Sequence, residues 1–359
     1  MRPFPSNAFC ASLAILVLVT WSPVWGQDFT FFANTQYPLN VHFLEGIAPG
    51  PTVMVQGGIQ GDEVAGFISA QILTRARLEN GKLIVVPRAN IPSIMARSRQ
   101  INVDLNRRFD QDYNQFYEDR LARCIRLLIS RADAFIHLHE GSGFYSQVYQ
   151  NALRGPKRFG QSVIIDQAVC CDGFDLAGLV ESVLTDFNQS LPRNYRFTLM
   201  NTRTSDPGSV HPEQRKSLSF YAVNQRGIPA MAVEVSKDIV DLEWKVRAQV
   251  RLTLAFLRSM GLEVYLEQTE LDRIRDWFGN PVPVDLNCGD GQDSGVTLRL
   301  GEMLNPQPAP EAEDQKAVGV FASDRPGQNM VSQPRRVLRP FQYLDVIQDG
   351  VRVARIPVS

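Results

Sequence analysis

The sequence predicts an α/β fold: a mixed, largely parallel central sheet with helices on both faces, followed by a small C-terminal β domain. From residue 27 to about residue 258, short β-rich runs alternate with segments whose apolar residues recur at helical spacing. Such alternation is typical of a largely parallel sheet that carries helices on both faces. After about residue 280 the helical pattern stops, and β-type runs separated by turn residues replace it.

The first region, residues 27–279, is predicted as one domain. Its apolar runs predict five buried strands: Val53–Val55, Leu83–Val86, Ala134–Leu138, Val163–Ile165 and Ala230–Val235. Its amphipathic segments predict five helices: Val64–Leu78, Asn114–Arg131, Leu176–Leu191, Ser217–Arg226 and Leu242–Met260. In folds of this kind catalytic groups gather at the carboxyl ends of the strands, so polar residues at those ends are the first candidates for function.

The second region, residues 280–359, is predicted as a small all-β domain. Its β-type runs are Val296–Leu300, Val318–Phe321, Tyr343–Ile347 and Val351–Ile356. The residues Gln348, Asp349 and Gly350 between the last two runs predict a hairpin turn. The segment Leu304–Gln315 is rich in proline and acidic residues and is expected to be a surface loop.

Residues 1–26 predict a cleavable signal peptide. Arg2 precedes an apolar run from Phe9 to Trp21, and a small residue, Gly26, follows at a plausible cleavage site. The run is shorter than the roughly 20 apolar residues that cross a bilayer, although an uncleaved anchor is the alternative. No later segment is apolar enough to span a membrane, so the mature chain is expected to have no transmembrane segment and to be periplasmic or secreted.

The composition bears on nucleic-acid binding and on the state of the cysteines. The formal net charge of the 359 residues is −1, and no basic stripe is present, which argues against a nucleic-acid partner. After the signal peptide four cysteines remain: Cys124, Cys170, Cys171 and Cys288. An even number in an exported chain permits disulfides, but the sequence does not give the pairing.

Four polar segments lie at or near the ends of the predicted strands. They are GGIQGDE with Gln60 and Glu63, RSRQINVDLNRRF with Arg97, Arg99, Asn106, Arg107 and Arg108, IHLHEG with His137 and His139, and MAVEVSK with Glu234. Each has a purely structural alternative. In the first, the glycines would form a turn and Asp62 would cap the next helix.

Glu234 is the residue least easily explained by structure alone. It lies between Val233 and Val235 in an otherwise apolar strand, where an ionised carboxylate is costly to bury without a partner. Two partners are available, namely a nearby metal ion and the arginines of the second segment. A costly residue with candidate counter-ions is a reasonable functional candidate.

In this order, the four segments resemble the zinc carboxypeptidase superfamily, the funnelins and their aspartoacylase-like relatives. Gln60-x-x-Glu63 stands where that pattern has His-x-x-Glu, DLNRRF is close to its Asp-Leu-Asn-Arg-x-Phe, and His139 matches its second histidine. Glu234 matches its catalytic glutamate. The resemblance covers roughly residues 40–260. The glutamine at position 60, the predicted export and the added β domain are most similar to the cell-shape-determining DL-carboxypeptidases, which use a Gln-Glu-His metal site.

The resemblance implies a role for each candidate residue. Gln60, Glu63 and His139 would bind one Zn²⁺ ion. A neutral amide is a weaker ligand than imidazole, so we expect lower zinc affinity than in a histidine form and leave the identity of the metal open. The remaining roles are general base for Glu234, stabilisation of the oxyanion for Arg99, binding of the substrate carboxylate for Asn106 and Arg107, and lining of the pocket or support of a ligand for His137.

The resemblance therefore predicts a periplasmic zinc-dependent DL-carboxypeptidase. It would trim a peptidoglycan stem tripeptide, its muropeptide substrate, to a dipeptide, release meso-diaminopimelate, and so influence cell shape. One alternative is an aspartoacylase-like deacylase of small N-acyl amino acids, against which the predicted export and the β domain argue. The other is a non-catalytic module that binds wall peptides, which only Gln60 favours. The polar segment Arg203–Ser219 is expected to contribute to specificity.

Overall fold

The computed structural model describes residues 27–33, 35–274, 281, 283–286, 296–308 and 316–359. The predicted signal peptide, the predicted domain boundary at residues 279 and 280, Cys288 and most of the predicted acidic loop lie outside these ranges. The domain boundaries therefore stay predictions. None of the helices in the described ranges has both the length and the apolar composition needed to cross a membrane.

The core of the first domain is one eight-stranded sheet. Its strands, in chain order, are β1 (Gln27–Phe31), β2 (Leu39–Glu45), β3 (Ala48–Gln56), β4 (Asn80–Val86), β5 (Ala134–Gly141), β6 (Ser162–Ile165), β7 (Thr198–Asn201) and β8 (Ala230–Ser236). Their spatial order is β1-β2-β4-β3-β5-β8-β6-β7. The four central strands β4, β3, β5 and β8 run parallel, and antiparallel pairs join them to the outer strands. The predicted mixed, largely parallel sheet is confirmed.

Seven α-helices accompany the sheet in the described ranges: α1 (Val64–Leu73), α2 (Ile91–Met95), α3 (Tyr117–Ile129), α4 (Leu176–Phe187), α5 (Leu218–Asn224), α6 (Leu242–Ser259) and α7 (Gln268–Asp272). Helix α6 packs against α1 and α4 in one layer. Helices α3 and α5 belong to the other layer, where short 3-10 turns at Leu105–Arg107 and Pro212–Lys216 connect them. Further 3-10 turns lie at Asn188–Ser190 and Arg193–Tyr195.

The first predicted helix is too long. Helix α1 ends at Leu73, and Arg77–Leu78 instead form a short strand that pairs with Val264–Tyr265 near the end of the domain. Four other two-residue strands of this domain lie at Phe144–Tyr145 and Arg154–Gly155 and, in a small hairpin, at Val169–Cys170 and Phe174–Asp175. The described cysteines, Cys124, Cys170 and Cys171, are free thiols.

The C-terminal region forms a second, smaller β structure with its own apolar core. Three antiparallel strands, β9 (Val318–Ala322), β10 (Tyr343–Gln348) and β11 (Val351–Pro357), form its sheet. Short strands at Val284–Asp285, Met303–Leu304, Gln307–Pro308 and Arg335–Arg336 pair around it. The core residues are Leu286, Val296, Leu304, Val320, Ala322, Met330, Leu344 and Val346. The predicted small β domain is confirmed.

The predicted hairpin is present, but one predicted strand is not. Asp349 and Gly350 join β10 to β11 with positive φ angles of 46° and 77°, the conformation that an Asp-Gly turn favours. The segment Val296–Leu300 predicted a strand, yet only Val296 makes an isolated bridge, to Val358. Val296 is buried and Leu300 is exposed. The alternation of apolar residues in this segment therefore predicted the buried residue Val296 correctly but did not predict the strand pairing.

Candidate metal centre and active site

The loop that follows β3 is held in place by close packing at Gly61. A side chain at this position would put its Cβ 2.0 Å from the carbonyl oxygen of Ser93, so only glycine fits. The Gly61 amide donates to Ser93 Oγ at 3.0 Å and to the Ser98 carbonyl at 3.0 Å. The loop is therefore pressed against α2, and this contact fixes the positions of Gln60 and Glu63 on either side of the glycine.

The purely structural alternative for this loop, with Asp62 as the helix cap, is wrong. Glu63 occupies the N-cap position of α1, and its side chain makes no capping hydrogen bond. Asp62 forms an ion pair with Lys237, with 2.5 Å between Oδ2 and Nζ. The carboxylate of Glu63 is directed towards β5 instead, so the helix start gives up a cap in order to place a carboxylate at the end of the sheet.

Glu63 and His139 meet in a buried contact. Their side chains are 5% and 4% exposed, and His139 Nδ1 lies 2.6 Å from Glu63 Oε2. The same oxygen accepts a hydrogen bond from the Glu140 amide at 3.2 Å. Burial lowers the pKa of His139, but the charge and hydrogen bond of Glu63 outweigh burial and raise it. Two of the three predicted metal ligands thus converge, although 76 positions separate them in the chain.

His137 lies beside His139 on the same side of β5, as alternation along a strand requires. Its Nδ1 is 2.6 Å from His139 Nε2, and its ring stacks on Phe135 with 5.3 Å between centroids. Burial and the neighbouring histidine hold the pKa of His137 well below its usual value. His137 is therefore a neutral group in contact with His139, and its role in lining the pocket or supporting a ligand stays a prediction.

Gln60 is connected to the pair through two other side chains. It is 2% exposed, and its Nε2 donates to both oxygens of Asp104, at 3.2 and 3.4 Å. Since a carboxylate only accepts hydrogen bonds, this contact fixes the amide with its nitrogen towards Asp104 and its carbonyl oxygen on the other side. Arg99 Nη2 lies 2.8 Å from Asp104, and Arg99 Nη1 lies 4.0 Å from Glu63 Oε1.

Glu234 is aligned with His139 in the parallel pairing of β8 with β5, so both side chains lie on the same face. Its Oε2 atom is shielded from solvent and has no hydrogen-bond partner among the described residues. Burial raises the pKa of Glu234 to about 8, and the charge of Glu63 adds to the effect, while His139, Arg99 and Lys237 oppose it. A shielded carboxyl with a pKa near neutrality has the properties of a general base or acid.

Asn106 and Arg107 lie in the 3-10 turn beside this cluster. Asn106 Oδ1 accepts a hydrogen bond from the Leu218 amide at the start of α5, which leaves the Asn106 amide nitrogen for a ligand. Burial lowers the pKa of Arg107, with Arg99 acting in the same direction and Asp104 opposing both. Two guanidinium groups near each other can together bind a carboxylate, and Arg99 keeps 49% of its side chain exposed for that purpose.

The other two arginines of this segment make structural contacts. Arg97 Nε donates to the Asp349 carbonyl in the β domain at 2.6 Å. Arg108 pairs with the buried Asp119 at 2.7 Å and covers the ring of Tyr113.

Within the segment Arg203–Ser219, Thr204 Oγ1 donates to the buried Asp166 at 2.6 Å. Glu213, in the 3-10 turn of the same segment, acts electrostatically on Arg107. The segment therefore borders the predicted substrate-binding groups, and its role in specificity stays a prediction.

Sequence reasoning missed several residues that hold the site together. Asp104 bridges Gln60 and Arg99; it is the first residue of DLNRRF, but the resemblance gave it no role. Glu140 accepts from the Ala65 amide at 2.6 Å and pairs with Lys245 at 2.5 Å, which ties α1 and α6 to the end of β5. No local pattern marks a partner 105 residues away.

The donor set fits a zinc ion in its chemistry. Among the residues described, no three His, Cys, Asp or Glu side chains form a metal-binding group by themselves. Carboxylate oxygen and imidazole nitrogen are ordinary zinc donors, and the predicted third ligand is an amide, whose carbonyl oxygen is a harder and weaker donor. The convergence of Glu63 and His139, the fixed orientation of the Gln60 amide and the unpartnered Glu234 oxygen are all consistent with a cation at this edge of the sheet.

Solved structures of another protein share the fold of this chain. Helicobacter pylori cell shape determinant Csd4 with bound tripeptide matches with a TM-score of 0.69 and 22% identity, over 89% of this chain and 77% of that chain. The mDAP-bound form of Csd4, described as a D,L-carboxypeptidase, matches with a TM-score of 0.67 and 23% identity, over 86% and 72%. At these identities the similarity establishes the fold alone.

Sequence comparison establishes the family. N-alpha-acetyl-L-2,4-diaminobutyric acid deacetylase of Halomonas elongata is 31% identical over 296 residues, which are 77% of this chain and 78% of the relative. The catalytic-domain model described as a carboxypeptidase controlling helical cell shape matches residues 15–281, which include all the candidate residues above. The chain is thus a member of the family of carboxypeptidases that control helical cell shape.

Proposed function

We propose that this protein is a periplasmic, zinc-dependent DL-carboxypeptidase that removes the terminal meso-diaminopimelate from a peptidoglycan stem tripeptide and thereby influences cell shape. The observation that carries the proposal is the meeting of Glu63, His139 and Glu234 at the carboxyl ends of parallel strands, with Arg99 and Arg107 beside them. Family membership and the tripeptide-bound relative of the same fold support the substrate class.

The metal ligands in this proposal are Gln60, Glu63 and His139. A bound zinc ion supplies Lewis-acid polarisation of a carbonyl group and activation of a water molecule. Asp104 holds the Gln60 amide in one orientation, and His137 holds the ring of His139, so the donors are positioned in advance of ion binding.

Glu234 takes a proton from the attacking water at its unpartnered Oε2 and delivers it to the leaving amine. Asn106 and Arg107 bind the free carboxylate of the terminal residue, because a guanidinium fork matches carboxylate geometry. Arg99, which is exposed and only 4.0 Å from Glu63, stabilises the developing oxyanion. Together these groups hydrolyse an amide whose nitrogen belongs to an amino acid with a free carboxylate.

A second candidate function is a deacylase of small N-acyl amino acids, which the 31% identity to the Halomonas elongata deacetylase favours. The two substrates share their leaving group, since each reaction releases the α-amine of a diamino acid with a free α-carboxylate. They differ on the acyl side, which is a peptide in one and an acetyl group in the other. The residues proposed to bind the leaving amino acid therefore do not distinguish the carboxypeptidase from the deacylase.

Product analysis separates the candidate functions. The full chain without its first 26 residues is incubated with a muropeptide tripeptide and, separately, with Nα-acetyl-2,4-diaminobutyrate, each with and without added zinc. Zinc-dependent release of free diaminopimelate from the tripeptide supports the carboxypeptidase. Release of acetate alone supports the deacylase, and recovery of intact bound tripeptide at all zinc concentrations supports a binding module. Either of the last two results would overturn the main proposal.

Gln60→His is expected to tighten zinc binding by about tenfold, because imidazole is a better zinc ligand than an amide oxygen. A histidine can also donate one ring N–H to Asp104 as the Gln60 amide does and keep its other nitrogen for the metal. The measurement is the zinc dissociation constant by competition with a chelator. Gln225→His, at the exposed end of α5, controls for unspecific binding by an added histidine. An unchanged affinity in Gln60→His would remove residue 60 from the ligand set.

A further inference from the structure

We propose that the hairpin turn of the C-terminal β domain, at Asp349 and Gly350, is a positioning element for the loop that carries Gln60 and Glu63. The inference rests on the proposed placement of these two residues in the active site. It gives the β domain a specific task, namely to hold the metal-binding loop in its working conformation through α2.

The first contact is a buried ion pair between the two domains. Arg88 Nε and Nη2 lie 2.8 and 2.9 Å from the two oxygens of Asp349, and the two side chains are only 7% and 9% exposed. Arg88 also donates to Gln71 of α1 at 2.5 Å. A bidentate pair shielded from water fixes orientation as well as distance. The turn is therefore attached to the segment that follows β4, and the end of β4 binds the start of the loop through the hydrogen bond from the Gly57 amide to the Val86 carbonyl.

The second contact is steric. A Cβ at Gly350 would lie 2.4 Å from the carbonyl oxygen of Ile94 and 2.5 Å from Arg97 Cγ. Arg97 Nε in turn donates to the Asp349 carbonyl. The turn thus packs directly against the backbone at the end of α2, and this approach requires glycine at position 350.

Helix α2 transmits these contacts to the loop. Its Ser93 and the residue that follows it press against Gly61, and the Gly61 amide is bound by Ser93 Oγ and the Ser98 carbonyl. The residues just before α2 hold the start of the loop, because the amides of Ala89 and Asn90 donate to the carbonyls of Gly57 and Gly58. The loop therefore has α2 on one side, and α2 has the hairpin turn on its other side.

This arrangement explains why the loop can place two donors accurately without a helix cap of its own. Glu63 gives up the capping role to face His139, and the Ala65 amide in the first turn of α1 donates to Glu140 of β5 instead. The loop itself is held at Gly61 by α2, and α2 packs against the turn of the β domain. The consequence is that a change in the turn should reach Gln60 and Glu63 without touching either of them.

The test is hydrogen exchange of the loop in the metal-free full chain. Gly350→Ala forces the turn away from α2, and we expect the amides of residues 57–63 to exchange at least about fivefold faster than in the unchanged protein. Gly301→Ala is the matched control, because Gly301 also has a positive φ, of 90°, in the β domain but has nothing within 4 Å of an added Cβ. It should strain its own turn and leave the loop unchanged.

Asp349→Asn provides a second variant that keeps the shape of the turn and removes the charge next to Arg88. We expect faster exchange in residues 57–63 and weaker zinc retention against a chelator, with helix α4 (Leu176–Phe187) as the internal reference that does not change. Equal exchange of the loop in the turn variants and in Gly301→Ala would overturn the inference. Because exchange is measured without substrate, this result is independent of whether the protein cleaves the tripeptide.

Discussion

Glu234→Gln is expected to lower kcat for tripeptide cleavage by at least about 10²–10⁴-fold and to leave KM nearly unchanged. Glutamine preserves the size of the side chain but cannot accept a proton at Oε2, the atom that has no hydrogen-bond partner among the described residues. The groups proposed to bind the substrate carboxylate are untouched. Steady-state kinetics on the tripeptide gives both constants, and Glu181→Gln, an exposed carboxylate on α4, is the control. Ordinary turnover by Glu234→Gln would exclude this residue as the base.

The same variant has a second consequence, for stability in the absence of metal. The pKa of Glu234 is raised from 4.5 to about 8 in the folded protein, so the folded state keeps a proton that the unfolded chain releases. The free energy of unfolding therefore falls as pH rises from about 4.5 to about 8 and levels off above that.

In Glu234→Gln this contribution is absent. The metal-free variant should gain stability relative to the unchanged protein across that pH window, with no difference below it. Denaturant unfolding with excess chelator at several pH values measures this difference. A constant difference at all pH values would show that the carboxyl does not titrate with a raised pKa.

The central strands could be predicted because both faces of a largely parallel sheet are buried. All eight residues of β5 are buried, and their sequence, AFIHLHEG, begins as an apolar run that His137, His139 and Glu140 interrupt. That interruption marks His137 and His139 as candidates in the sequence alone. The same reasoning identifies Glu234 as a charged residue in a buried strand.

The sequence-based predictions were wrong where contacts with residues distant in the chain outweigh the local sequence pattern. Periodicity extended the first helix to Leu78, but Arg77–Leu78 pair with a strand that lies more than 180 residues later in the chain. Local composition offered Asp62 as an alternative helix cap, yet an ion pair with Lys237 uses that carboxylate instead. Neither partner is visible in a short window of sequence.

The candidate site could likewise be predicted only in part. Its potential donors could be found as residue types at strand ends, but the residues that orient them could not. Asp104 acts on the site through Gln60 and Arg99, and Lys245 acts on it through Glu140. Many acidic and basic residues in the sequence could have made such contacts, so only the folded arrangement selects these two.

The second large effect is expected from Glu63→Gln. Glu63 supplies the only negative charge in the proposed ligand set, since Gln60 is neutral and His139 binds a metal through a neutral nitrogen. Its replacement by an amide removes that charge and keeps the side-chain volume. We expect zinc affinity to fall by more than about 100-fold, which is more than the loss of a residue that only supports a ligand would cause. Tripeptide cleavage should fall with the zinc affinity.

A chelator competition and a titration of the histidines by NMR measure the two consequences of this change. Because Glu63 is what raises the pKa of His139, the variant should also show a lower pKa for that ring in the metal-free protein. Asp62→Asn removes the same charge one position earlier in the loop, where the carboxylate faces Lys237. If both variants lose zinc equally, the effect is one of general charge, and Glu63 is not a ligand. If Glu63→Gln alone loses zinc and shows the lowered His139 pKa, the two side chains act on the same ion, as their 2.6 Å contact implies.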